Sequence, residues 1–169
     1  GGGSRDYTVE IADRIKNKYQ IETLAHLTCV GTGKDEIDDI LAELKVKNIG
    51  NILALRGDQP QEGVTANYDY TYAKDLIEYL KAQGDFSIGA ACYPEGHIEC
   101  ESLAQDLLYL KQKVDAGADF LITQLFYDND LFYRFRDQLG ALAIEAPLSA
   151  GIMPVMNKRQ IERITTLCG

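Results

Sequence analysis

A parallel α/β sheet is the fold class this sequence predicts, and two observations predict it. Short apolar runs alternate with stretches of helical periodicity, giving a helix followed by strand and helix repeated five times. The connections between them are short enough for right-handed crossovers joining parallel strands. A doubly wound open sheet and part of an eight-stranded (βα)8 barrel both satisfy that order, and periodicity leaves the two open. At 169 residues the chain reads as a single domain with enough length for a real core.

The elements follow in order. From Thr8, the residues Val9, Ala12, Ile15 and Tyr19 fall at helical spacing, and Arg14, Lys16 and Lys18 lie toward the C-terminal end, where cations suit the helix dipole. Thr23 to Val30 reads as a strand whose apolar residues surround one polar residue, His26, and Gly31 ends it. The second helix is predicted from Lys34 to Val46, with Ile37, Ile40, Leu41 and Leu44 on one stripe and Thr32 or Gly33 as its cap. The segment Gly31-Thr-Gly-Lys34 is not a phosphate loop: Thr28 stands where that loop needs Gly, and Asp35 where it needs Ser or Thr.

Ile52 to Leu55 is an apolar run short enough for a strand buried on both faces, and Arg56-Gly57-Asp58 follows it directly. A polar loop through Asn67 leads to a helix from Tyr70 to Gln83 that turns Ala73, Leu76, Ile77 and Leu80 inward. Phe86 to Tyr93 is the third strand, broken at Tyr93-Pro-Glu-Gly-His97, and a helix from Leu103 to Ala116 stops at Gly117. Asp119 to Phe126 is the fourth strand, with Phe120, Ile122 and Gln124 on one face. A helix from Asp128 to Leu142, a short strand from Leu148 to Met153 and a helix from Lys158 complete the pattern.

Composition excludes several function classes. A formal net charge of −9 opposes general nucleic-acid binding, which needs basic surface to displace counterions from phosphates. No apolar run approaches the roughly 20 residues a membrane-spanning helix requires, so no membrane span is predicted and the reading is cytoplasmic. Cys29, Cys92, Cys100 and Cys168 show no paired Cys-x-x-Cys spacing, which points to reduced thiols rather than a disulfide frame or a metal site.

Parallel sheets of either architecture place ligands at the carboxyl ends of their strands. Polar residues collect there on four consecutive strands: His26 within the first, Arg56 and Asp58 after the second, Tyr93 and His97 after the third, Gln124 late in the fourth. Together they suggest a shared pocket. Taken singly, His26 reads as a core histidine, Tyr93 as packing, and Arg56 with Asp58 as a loop ion pair. Neither a Gly-x-Ser-x-Gly nor a paired-His motif is present, so cofactor binding has more support than acyl transfer or metallohydrolysis. On the helix from Leu103, Asp106, Tyr109 and Lys113 form a stripe beside the buried face, either a ligand contact or a solvated flank.

Six segments in order, His26-Leu-Thr-Cys29, Ile49 to Pro60, Tyr93-Pro-Glu-Gly-His97, Lys113 to Asp119, Ile122 to Phe126 and Gly151-Ile-Met-Pro154, closely resemble the methylenetetrahydrofolate reductases nearly end to end. The resemblance implies a (βα)8 barrel in which NADH or NADPH reduces FAD and the reduced flavin passes hydride to methylenetetrahydrofolate. Carried across, it assigns FAD contacts to His26, Leu55, Arg56, Gly57, Asp58, Tyr72, Ala73, Tyr93, His97, Asp106 and Lys113. Cys100 and Tyr109 also fall at FAD-side positions, as does Gln112; relatives can carry Ala, Asn and Arg at these three. Asp58 and Gln124 match the catalytic and folate-side positions, and Gln160 the substrate edge. The resemblance also implies homo-oligomers and, in some members, a partner subunit.

The family's first strand carries a catalytic Glu in a Glu-Phe-Phe-Pro-Pro-like motif, and its second ends in a Thr-Tyr-Gly-Ala loop. Neither motif is in this sequence, nor is an eighth strand, and Gly1 to Ser4 look like the end of the second strand's loop. The expectation is a piece of a longer protein covering roughly strands three to seven, inactive in folate reduction by itself because the general acid is missing. A noncatalytic flavin-binding or assembly fragment is the alternative function. A barrel lyase or isomerase acting on phosphorylated metabolites has less support, since Ile152-Met-Pro154 supplies no phosphate-binding Gly pair.

Overall fold

The computed structural model describes residues 5–57 and 69–162. The elements are α1 (Arg5–Asp13), β1 (Leu24–Thr28), α2 (Lys34–Val46), β2 (Asn51–Leu55), α3 (Ala73–Ala82), β3 (Ser87–Cys92), α4 (Leu103–Asp115), β4 (Phe120–Thr123), α5 (Asn129–Ala141) and β5 (Leu148–Ser149). The five strands form one sheet in the order β1-β2-β3-β4-β5, every neighbouring pair parallel.

The register divides the strand residues between two faces. Ala25, Leu27, Ile52, Ala54, Ile88, Ala90 and Leu121 share one face. They are buried in a single cluster with Val9 and Ala12 of α1, Ile37, Leu41 and Leu44 of α2, Leu76, Ile77 and Leu80 of α3, Leu107 and Leu110 of α4, and Phe135 and Leu139 of α5. Helices α1 to α5 therefore cover the same side. The other face carries Leu24, His26, Thr28, Leu53, Leu55, Ala91, Phe120 and Ile122. It is largely half-open, and His26 is exposed. Doubly wound sheets reverse their strand order and carry helices on both faces. The consecutive order and one-sided cover described here are compatible with an arc of a barrel.

Several sequence expectations are corrected. α1 continues as a π-helical stretch, Arg14–Lys18, whose wider turn rotates the apolar stripe. Tyr19, placed inward by ideal spacing, is accordingly 57% exposed. Gly33, one of the two expected residues, is the N-cap of α2; having no side chain, it leaves the acceptor to Asp69, which takes a hydrogen bond from Lys34 N at 2.7 Å. Thr32 is buried and donates to Thr28 O at 2.9 Å. The last strand is two residues, not six, and β1 and β4 are shorter than their apolar runs. Residues 158–162 are helical, as expected. The loop through Asn67, Asp58, Cys168 and Gly1 to Ser4 lie outside the described residues. No helix among the described residues is long and apolar enough to cross a membrane.

Helix α4 starts on Ser102, whose Oγ accepts from Gln105 N at 3.2 Å and satisfies one of the first-turn donors. Ser102→Ala should lower stability by about 1 kcal/mol, read as a shift in denaturant midpoint. An unchanged midpoint would mean that Gln105, which also bonds Glu101 N at 3.1 Å, fixes the helix start alone.

Candidate functional site

Strand geometry puts Arg56 and Gly57 where the β2 backbone leaves the sheet. The ladder continues one step past β1, with Cys29 N donating to Leu55 O at 3.1 Å and Val30 N to Arg56 O at 2.9 Å. Gly57 then takes φ +86°, and a Cβ there would stand 3.1 Å from Thr28 Cβ. Only glycine makes this exit without strain. The chain turns and presents the Arg56 side chain to the mouth of a cavity.

That cavity holds about 580 Å³ between the carboxyl ends of β2 and β3, the N-terminus of α3 and the flank of α4. Leu55, Arg56, Tyr72, Ala73, Tyr93, His97, Cys100, Asp106, Tyr109 and Lys113 line it, together with Gln112. A second cavity of about 360 Å³ lies toward β4, lined by Gly57, Leu53, Ile122, Thr123 and Gln124. Leu55, Arg56, Ala91, Tyr93 and His97 border both, so the two adjoin. Their volumes are within the range of small-molecule and cofactor sites. The α4 stripe thus lies against a cavity rather than along a purely solvated flank.

Electrostatics differ along the wall. Arg56 forms an ion pair with Glu99, 43 residues further on. Its Nη2 donates to Glu99 Oε1 at 2.7 Å, and its Nη1 donates to Glu99 Oε2. Those hydrogen bonds hold the Glu99 carboxyl below the usual range. Asp106, 6% exposed, accepts from His97 N at 3.1 Å and from Cys100 Sγ at 3.8 Å. Lys113 Nζ donates to Ala91 O at 3.1 Å and stands 5.9 Å from the Tyr93 ring centroid. Burial lowers the Lys113 pKa, opposed by the nearby Asp106 carboxylate.

The rings of Tyr93 and His97 meet edge to face at 4.7 Å. Burial, with Asp106 adding to it, raises the Tyr93 phenol. His97 Nδ1 accepts from Glu99 N at 3.1 Å, which makes Nε2 the protonated nitrogen of the neutral ring. Gln124 Oε1 accepts from Leu125 N at 2.9 Å, leaving its amide nitrogen as a donor at the second cavity.

Other assigned residues lie elsewhere. His26 sits on the open sheet face opposite Leu53, outside both linings, and its exposure overturns the core-histidine reading. Gln160 bonds Met153 Sδ through Nε2 at 3.8 Å and lines neither cavity. Glu99, Thr71, Lys74 and Asp75 line the first cavity without having been singled out. Glu99 had one signal: it lies two residues after His97 in a turn already read as functional.

The donor set suits a dinucleotide. The α3 N-terminus offers backbone N–H groups of the kind that bind phosphates, Lys113 adds a cation, and Tyr93 and His97 supply an aromatic wall.

Residues 1–169, the whole chain, match the family profile described as methylenetetrahydrofolate reductase. Methylenetetrahydrofolate reductase (NADH) 1 of Zea mays is 41% identical over 182 residues, 99% of this chain and 31% of its own length. 5,10-Methylenetetrahydrofolate reductase of Escherichia coli (strain K12) is 40% identical over 165 residues, 98% of this chain and 55% of its own. The chain therefore spans about half the length of this bacterial relative and about a third of the plant one. A crystal structure from Burkholderia cenocepacia J2315, provisionally named a lyase/mutase, gives a TM-score of 0.56 over 91% of this chain and 54% of its own. At 17% identity that likeness concerns the fold alone. Since the profile match leaves no residue out, the chain belongs to the methylenetetrahydrofolate reductase family.

Proposed function

We propose that this chain is the flavin-holding part of an oxidoreductase that reduces 5,10-methylenetetrahydrofolate to 5-methyltetrahydrofolate with NADH or NADPH by way of FAD. The observation that carries the reading is the pair of adjoining cavities at the carboxyl ends of β2, β3 and β4, bordered by the cations, aromatics and amide the family resemblance assigns. NADH as donor is supported by the names of plant relatives. Strands three to seven of a (βα)8 barrel fit the strand order and the one-sided helices.

FAD, when bound, supplies the hydride relay between nicotinamide and folate. The chain's own residues bind and orient. Ala73 at the α3 N-terminus and the Lys113 ammonium suit the anionic diphosphate. Arg56 and His97 offer N–H donors where the cavities join. Gln124 offers its amide to folate or nicotinamide at the second cavity. Asp58, next in sequence after Gly57, is assigned the carboxylate that stabilises the cationic iminium form of the folate. Homo-oligomeric assembly, a partner subunit and a cytoplasmic location belong to the same reading.

The test is the absorption spectrum of the full-length protein. A flavin spectrum bleached anaerobically by NADH or NADPH and restored by methylenetetrahydrofolate is expected. Colourless protein that FAD does not reconstitute would overturn the reading, and flavin without turnover would favour the noncatalytic alternative.

A further inference from the structure

We propose that Glu99 is a positioning residue, holding Arg56 at the junction of the two cavities with its charge balanced and its remaining N–H groups directed to the ligand. The inference rests on the flavin reading above and adds a role for a residue outside the assigned contacts. A guanidinium carries five N–H donors. Glu99 engages two of them through both carboxylate oxygens, and among the described residues no other side chain takes the remaining three.

Most exposed ion pairs contribute little because two mobile side chains must be ordered to form them. This pair differs in geometry and setting. It is a two-pronged fork, which fixes orientation as well as distance, and the Arg56 end is the more enclosed, 23% exposed against 52% for Glu99. The backbone under Glu99 is also fixed. Its own N–H is bonded to His97 Nδ1, and Asp106 takes hydrogen bonds from His97 N before it and Cys100 Sγ after it.

Arg56 and His97 border both cavities, whereas Glu99 borders only the first. Glu99 therefore draws the end of β2 toward the turn after β3 from one side. With its charge matched, Arg56 acts as a directional donor to a neutral oxygen, a carbonyl or hydroxyl of the ligand. The anionic portion is left to Lys113 and the α3 N-terminus.

The experiment uses the full-length protein and measures FAD affinity by flavin fluorescence quenching for wild type, R56A, E99Q, E99A and R56A/E99A. NMR of the Arg56 guanidinium without flavin accompanies it. E99Q is expected to weaken FAD roughly tenfold, and R56A/E99A to bind no more weakly than R56A. Restricted rotation of the Arg56 side-chain N–H groups is expected in wild type and free rotation in E99Q. Wild-type or tighter binding by E99Q, or additive losses in the double variant, would overturn the proposal. Should wild type bind no FAD, the flavin reading alone fails. The guanidinium signals then decide: restriction released by E99Q upholds the clamp for another ligand, and free rotation in wild type removes it.

Discussion

Gly151→Ala should destabilise the protein by roughly 3 kcal/mol, an overpacking effect at the upper end of its usual range. A Cβ at Gly151 would stand 2.2 Å from Thr123 O and 3.3 Å from Thr123 C. Those are backbone atoms, so no side-chain rotation relieves the overlap. The approach is close because Gly151 N donates to Thr123 Oγ1 at 2.8 Å, tying the exit of β5 to the end of β4. β5 pairs through only Leu148 and Ser149, too short a ladder to absorb a shift. Displacement passes to Gln124, which lines the second cavity and whose N–H donates to Cys92 O at 2.7 Å. Denaturant midpoints measure the cost. Gly50→Ala is the control, because a Cβ there meets nothing within 4 Å. Equal midpoints for the two variants would show that β5 moves freely and that the close approach has no energetic consequence.

The fold was legible wherever local physics decides it. Apolar period and turn residues located all five strands, and α2, α4 and α5 came out within about a residue of their observed ends, helped where a local signal marks a boundary. Gly117 after α4 has φ +115°, and Asp128 caps α5 by accepting from Asp130 N. The failures share another cause. Tyr19 faces outward because π-helical turns change the phase of the stripe, and nothing in the apolar spacing announces such turns. Asp69 caps α2 from 35 positions along the chain, beyond any local window. β5 is short because pairing, not apolar content, sets a strand's end.

The site divides along the same line. Arg56, Tyr93, His97 and Gln124 line the two cavities, a placement legible because parallel sheets gather ligands at their strand ends. Asp106, Tyr109 and Lys113 were found because helical spacing put them on one stripe. Glu99 was missed, since its pairing with Arg56 spans 43 residues and its one local signal, the place two residues after His97, does not point to a partner at the end of β2. His26 shows the converse error. Its neighbours Ala25 and Leu27 are buried on the helix side, so an apolar run gave the appearance of a core residue on a strand with one open face.

Lys113→Met should weaken FAD binding about a hundredfold, near the upper range for one hydrogen bond to a charged group, and should also remove a pH dependence. Lys113 is held at the cavity wall by Ala91 O, with the Tyr93 ring beside it and the buried Asp106 carboxylate nearby. Burial lowers its pKa from the ordinary 10.5. Between that lowered value and 10.5, the folded protein holds fewer protons on Lys113 than the unfolded chain. Stability of the ligand-free protein therefore gains from Lys113 as pH rises through the window, and below it the full penalty of burying the ammonium remains. An anionic diphosphate beside Lys113 favours the charged form, so flavin binding takes up a proton and affinity falls as pH rises through the same window. Methionine keeps the volume of the stem but cannot titrate, so both slopes flatten. Lys113→Arg separates charge from titration: its guanidinium stays charged, so it should retain more affinity than methionine while losing the slope. FAD titrations across pH, paired with denaturation of the flavin-free protein, measure both. A wild-type slope in Lys113→Met would place the titrating group elsewhere, and wild-type affinity would remove Lys113 from the diphosphate.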